Sequence, residues 1–289
     1  MDIEQIVCKY RNHADYTTEV VDAEVKRIIS GDFEGYSKKH QIALVISLMD
    51  LTTLEGSDTN AKVKALCEKA SSFSKMDPEL PDTAAVCVYP TLVRVAKEAL
   101  AGKKINVASV AGAFPSGHSP LRIKIDEIRY AIEEGADEID MVISRGKYLE
   151  GNYEEVYHEI AEIKKACGNV HLKVILETGE LNKPDDIRIA SELAIQAGGD
   201  FIKTSTGKVQ PGATLEAIFV MLKAVRQHFD ATGKIIGVKP AGGISDIATA
   251  INYLKIVRTV AGDQWLNPEY FRFGASRLAD DAIRSLNEL

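Results

Sequence analysis

Asp200-Phe201-Ile202-Lys203-Thr204-Ser205-Thr206-Gly207-Lys208 is a short apolar run that ends in a lysine and breaks at once into a glycine turn. Helical spacing follows, with Leu215, Ile218, Phe219, Leu222 and Val225 on one face after Thr214. Strand, turn and helix in that order form the β/α unit of a parallel sheet. The next run, Ile235-Ile236-Gly237-Val238-Lys239-Pro240-Ala241-Gly242-Gly243, repeats the design and again ends in a lysine. Elsewhere in the chain, and including these two, strand-like runs fall at 48–51, 85–89, 106–110, 138–143, 171–177, 201–204, 235–239 and 271–274. Between them, Leu121, Ile125, Ile128 and Ile132 share a helical face. So do Tyr153, Val156, Tyr157, Ile160 and Ile163, after a cap expected at Asn152 with Glu155 three residues later. Continuous apolar runs such as Val174-Ile175-Leu176 suit strands covered on both faces. Eight such units predict an α/β protein, a (β/α)8 TIM barrel over residues 41–289. An open doubly wound sheet fits the same alternation, but no Gly-x-Gly-x-x-Gly follows the first strand, which disfavours its dinucleotide-binding form.

Residues 1–40 precede the first strand as a helical extension. Ile3, Ile6, Val7 and Tyr10 predict one helix, and Val21, Val25, Ile28 and Ile29 a second, before Gly31, Gly35 and Ser37 break the pattern. Two placements fit: a plug under the barrel or a cover for a subunit contact in a homo-oligomer.

Composition narrows the function. A formal charge of −7 leaves no general basic surface for nucleic acid. No apolar run is long enough for a membrane span, and the first residues lack the basic start and apolar core of a secretion signal. Cys8, Cys67, Cys87 and Cys167 show no paired spacing and read as free thiols of a cytoplasmic protein. The six histidines are scattered, so neither a metal nor another cofactor is expected.

The polar residues at strand ends carry the chemistry. Lysine is costly in a strand interior unless solvated or paired. Two on neighbouring strands repel, and an ammonium beside another cation loses its proton more easily. Neutral lysine is a nucleophile that forms imines with carbonyls. A free lysine is neutral in roughly one molecule in two thousand at pH 7, and a pKa near 7 raises that about a thousandfold. Asp50, Thr52 and Thr53, then Asp140, then Lys173 and Glu177, close other strands. A purely structural alternative makes the two lysines part of a buried ion-pair network with Asp50 and Asp140, and makes Lys173 and Glu177 partners. Glycine turns at Gly207 with Lys208, at Gly242-Gly243, and at Gly274-Ala275-Ser276 offer backbone N–H groups for a phosphate. Cys87, on the second strand, is a candidate for attack by aldehydes.

These motifs, together with Leu48–Leu54, Val86-Cys87-Val88-Tyr89-Pro90, Gly135–Val142, Leu176–Leu181 and Arg272-Phe273-Gly274-Ala275-Ser276, resemble deoxyribose-phosphate aldolase from about residue 44 to 277. The resemblance implies a metal-free class I aldolase on a (β/α)8 barrel, acting on phosphosugar and aldehyde substrates. It also implies residue roles: Lys203 as Schiff-base lysine, Lys239 beside it, and Asp140 as acid/base. Asp50, Thr52, Lys173, Thr204 and Thr206 would border or support the substrate, with Gly207, Lys208, Gly242, Gly243, Gly274 and Ser276 around the phosphate. Two departures stand out. Arg277 occupies a position where some members have a second serine, and the chain ends in Leu289 where some end in a tyrosine. Rival readings are another class I aldolase or transaldolase, a metal-dependent aldolase, and a phosphosugar sensor without turnover.

Overall fold

The computed structural model describes residues 3–181 and 183–289. Three helices come first: α1 (Ile3–Tyr10), α2 (Thr18–Ile29) and α3 (Lys38–Ser47). The strands are β1 (Met49–Thr52), β2 (Ala85–Val88), β3 (Asn106–Ala111), β4 (Glu138–Val142), β5 (His171–Ile175), β6 (Phe201–Lys203), β7 (Gly237–Lys239) and β8 (Phe273–Ala275). Between and after them run α4 (Asn60–Ala70), α5 (Phe73–Met76), α6 (Val93–Ala99), α7 (Leu121–Glu133), α8 (Arg145–Leu149), α9 (Tyr153–Cys167), α10 (Pro184–Gln196), α11 (Leu215–Thr232), α12 (Ile247–Val260) and α13 (Leu278–Asn287).

All strand pairs are parallel, in the order β7-β6-β5-β4-β3-β2-β1-β8. The bridges Val238 to Phe271 and Ala241 to Gly274 join the two ends, so the sheet closes into a (β/α)8 barrel rather than an open wound sheet. Closure removes the exposed edges that a sheet would otherwise present. Both faces are covered, which is why β2 reads Ala-Val-Cys-Val and is buried throughout. No helix among the described residues is long and apolar enough to cross a membrane.

Local chemistry explains most boundaries. Thr214 caps α11, its hydroxyl accepting from the Ala217 N–H at 3.1 Å. The cap expected of Asn152 does not form; its amide donates to Glu150 instead. The fifth strand stops at Ile175, short of the expected 177, because Glu177 adopts φ 56° and Thr178–Glu180 winds into a single 3-10 turn. The seventh starts at Gly237, later than expected, with Ile235 and Ile236 in the approach to it.

The extension neither plugs the barrel nor stands apart from it. Helix α1 packs on α10, and α2 lies on α11 and α12. The join is polar as well as apolar. Arg188 of α10 is fully buried and donates to the hydroxyls of Tyr10 (2.7 Å) and Tyr16 (3.0 Å), to Gln227 and to Glu192. Its guanidinium sits 3.9 Å from the Tyr10 ring centroid. Helix α3 spans residue 40 and runs directly into β1, so no break in structure falls at that position.

Candidate active site

Strand register sets the site. In a parallel pair, residues of matched register lie side by side at about 4.8 Å. Lys203 of β6 is matched to Lys239 of β7, and Asp140 of β4 to Lys173 of β5. Their side chains enter the barrel interior, where all four are buried.

Asp140 is the hub. Its Oδ2 accepts from Lys203 Nζ at 2.7 Å and from Lys239 Nζ at 2.9 Å. The two nitrogens are therefore no farther apart than the sum of those distances. Its Oδ1 accepts from Lys173 Nζ at 3.1 Å. Lys239 also donates to Asp50 Oδ2 at 2.6 Å, and Lys173 to Glu138. Beneath them, Arg272 donates to Asp50 Oδ1 at 2.7 Å and to Glu138 Oε1 at 2.9 Å. The ion-pair network is thus present, and it contains two residues, Glu138 and Arg272, that the motif reading passed over. For Glu138 a signal was visible: it lies two residues before Asp140 on one strand, hence on the same face.

The network divides its lysines. Burial would lower the pKa of Lys239, but Asp140 and Asp50 raise it well above the usual lysine value. Lys173 is raised too, Asp140 and Glu138 outweighing burial. Lys203 goes the other way. Burial is the main cause of its lowered pKa, Asp140 opposes the shift, and the Lys239 cation adds to it. The neighbouring ammonium, expected to be the chief agent, is second to desolvation. Asp140 would be raised by burial, yet the three lysines hold it well below the ordinary carboxylate range.

Lys203 opens onto a cavity of about 640 Å³ at the carboxyl ends of the strands. Its wall includes Thr52, Thr206, Gly207, Lys208, Gly242, Gly243, Gly274 and Ser276, all residues singled out in the sequence. Gly242 and Gly243 have φ of 85° and 87°, a left-handed pair that glycine adopts without strain. Helix α12 beyond them is capped by its own Asp246, which accepts from Thr249 N–H, whereas α13 has no side-chain cap. The open helix terminus is the one behind Gly274–Ser276.

Three expected substrate neighbours do not line this cavity. Asp50 and Lys173 are fully buried, and their charged groups are taken up in the network. Thr204 is fully buried as well. Its hydroxyl accepts from Ala241 N–H at 3.0 Å and faces Ala241 O at 3.3 Å, tying β6 to the chain after β7. Lys173 and Glu177 are not partners, since the strand ends between them. Glu177 instead accepts from the Thr206 N–H and hydroxyl, with Arg145 at 3.4 Å. Cys87 is fully buried beside Leu54, Ala108 and Val110. Burial pushes its thiol up to about 11, so it is a poor candidate for aldehyde attack.

The wall also holds two cations outside the motifs, Lys62 and Lys69 of α4, paired with Asp58 and Asp280; Lys208, within the motif, pairs with Glu55. Arg277 lines the cavity and makes no ion pair among the described residues.

A family profile described as DeoC/LacD family aldolase matches residues 44–264. The human protein named deoxyribose-phosphate aldolase is 47% identical over 251 residues, covering 83% of this chain and 79% of its own. The mouse protein of that name is 42% identical over 285 residues, covering 95% and 88%. The solved structure of deoxyribose phosphate aldolase from Aeropyrum pernix, described as a unique tetrameric structure, superposes with a TM-score of 0.64. At 24% identity, covering 87% of this chain and 99% of that one, it speaks for the fold. The barrel, the match across most of its length and the similarity to named aldolases agree, and the chain belongs to the DeoC/LacD family of aldolases.

Proposed function

We propose that this enzyme is a class I aldolase that reversibly cleaves 2-deoxy-D-ribose 5-phosphate into D-glyceraldehyde 3-phosphate and acetaldehyde, as a step in deoxyribose breakdown. One observation carries the reading. Of the three lysines gathered around Asp140, Lys203 alone faces the cavity, and Lys203 alone has its pKa lowered. The sequence similarity to the human and mouse proteins supports the substrate.

Neutral Lys203 attacks the C1 aldehyde of the open-chain sugar, and Asp140 carries the proton that lets water leave as the imine forms. The protonated imine draws electrons, so the C2–C3 bond breaks as the C3 hydroxyl gives up its proton. Glyceraldehyde 3-phosphate departs. The two-carbon enamine takes a proton at C2, and hydrolysis releases acetaldehyde and restores Lys203. Lys239, held charged by Asp50 and Asp140, lowers the barrier to having a second amine neutral. The glycine turns at Gly207, Gly242, Gly243 and Gly274, with Ser276, Lys208 and Arg277, receive the phosphate, and Thr52 and Thr206 flank the chain of the sugar. Asp50, Lys173 and Thr204 act behind the wall by holding these groups in place.

Reductive trapping tests substrate and nucleophile together. Borohydride with deoxyribose 5-phosphate should leave a two-carbon or five-carbon adduct on the peptide bearing Lys203, seen by mass spectrometry. An adduct only with dihydroxyacetone phosphate would point to an aldolase of different donor, and binding without any adduct to a sensor.

The same reading includes a cytoplasmic, homo-oligomeric enzyme. All four cysteines are free, which suits a reducing compartment. The tetramer described for the Aeropyrum pernix protein is the support for assembly, and light scattering on purified protein decides it. Residues 1–40 are kept as an extension outside the catalytic barrel of residues 41–289, because α1 and α2 lie over its outer helices.

A further inference from the structure

The barrel interior holds an odd number of charges. Lys173, Lys203, Lys239 and Arg272 face Asp50, Glu138 and Asp140, and none of the seven is more than 3% exposed. Ionised as in water, the set would carry one uncompensated positive charge in an almost wholly buried cluster, which is costly. Releasing one proton brings it to balance. Arginine does not release its proton in proteins, so the proton must come from a lysine.

The lower layer decides which lysine. Arg272 uses its fork on two carboxylates at once. It takes Oδ1 of Asp50 and leaves Oδ2 to Lys239; it takes Oε1 of Glu138 and leaves Oε2 to Lys173. Asn106 completes Glu138 with a hydrogen bond of 2.8 Å to Oε1. Lys239 and Lys173 thus each hold a carboxylate of this layer in addition to Asp140. Lys203 has only Asp140, and shares that oxygen with Lys239. It is the lysine with least to lose.

We propose that Arg272 and Glu138, neither of which lines the cavity, are positioning residues that fix the charge balance of the barrel interior and thereby select Lys203 as the amine held neutral. The inference rests on the imine reading of Lys203. The charged or titratable groups around that amine are Asp140 from β4, Lys239 from β7, Lys173 from β5 and Cys87 from β2. Asp50 from β1, Glu138 from β4 and Arg272 beside β8 lie behind them.

A charge-count mechanism predicts opposite pH shifts, which mere structural damage does not. Removing a cation lets Lys203 keep its proton, and removing an anion drives the proton off. The readout is the pH midpoint of borohydride trapping on Lys203 with deoxyribose 5-phosphate, taken on variants whose circular dichroism matches the parent enzyme. R272M should move the midpoint up and E138Q should move it down, each by about one pH unit, the worth of one charge at such range. The double variant R272M/E138Q should return to the parent value, and R272K, which keeps the charge and loses the fork, should move far less than R272M. A shift of both single variants in one direction overturns the proposal, as does R272K moving as far as R272M. If R272M does not fold, E138Q and R272K carry the test, and an unmoved E138Q overturns it. Failure of the parent enzyme to trap at Lys203 would instead defeat the imine reading.

Discussion

Lys203 and Lys239 are chemically the same residue in matched register, and their surroundings give them opposite character. Lys239 has two carboxylates within 2.9 Å; Lys203 shares one. Replacing Lys203 by leucine should abolish both trapping and turnover, while Lys203→Arg, permanently charged, should do no better. The sign of the Lys239 effect follows from its charge. Without that cation the Lys203 pKa rises, so Lys239→Leu should be weak at pH 7 and regain imine formation as the pH is raised, with the acid limb displaced upward by about one unit or more. A pH profile of trapping checks this, and an unmoved limb refutes it. Asp50 and Asp140 have folded pKa values below the unfolded value of about 3.9. Their contribution to stability is complete above that value and is lost as the pH falls below it. Urea midpoints should therefore decline below pH ~4.

Elements hold these residues through close approaches between loops. A Cβ at Gly274 would lie 2.8 Å from Ala241 Cβ and 3.2 Å from Lys239 Cε. Gly274→Ala should therefore cost about 1–3 kcal/mol by overpacking and also displace the Lys239 side chain. The expected result is a lower Tm together with slower trapping; a lower Tm alone would show that Lys239 accommodates the methyl group. The turns after β5 and β6 interlock similarly, since a Cβ at Gly179 would meet Pro211 O at 2.2 Å. The glycine turns were legible as a class in the sequence. Which glycine yields space to which neighbour was not, because the neighbours come from other strands.

Across the whole molecule, one buried cation links the extension to an outer helix of the barrel. Arg188→Met removes four hydrogen-bond partners and the stacking on Tyr10. It should cost about 2–4 kcal/mol, read as a fall in the denaturant midpoint. The trapping midpoint of Lys203 should not move, since Arg188 sits on an outer helix and not among the interior charges. A changed trapping midpoint would show that the extension is coupled to the site.

Sequence by itself determined the alternation of eight strands and helices, the two in-register lysines and the cavity glycines, because periodicity and turn chemistry are local properties of the chain. Lys203 and Lys239 could be paired on paper for the same reason: adjacent β/α units give adjacent strands. Glu138 and Arg272 could not, being far apart in the chain and brought into direct contact only once the barrel closes. Tertiary structure alone decided that Thr204 and Asp50 stand behind the cavity wall and that desolvation outweighs the neighbouring ammonium at Lys203. Solvent exclusion and charge summed over several strands belong to the closed barrel, and no single stretch of residues contains them.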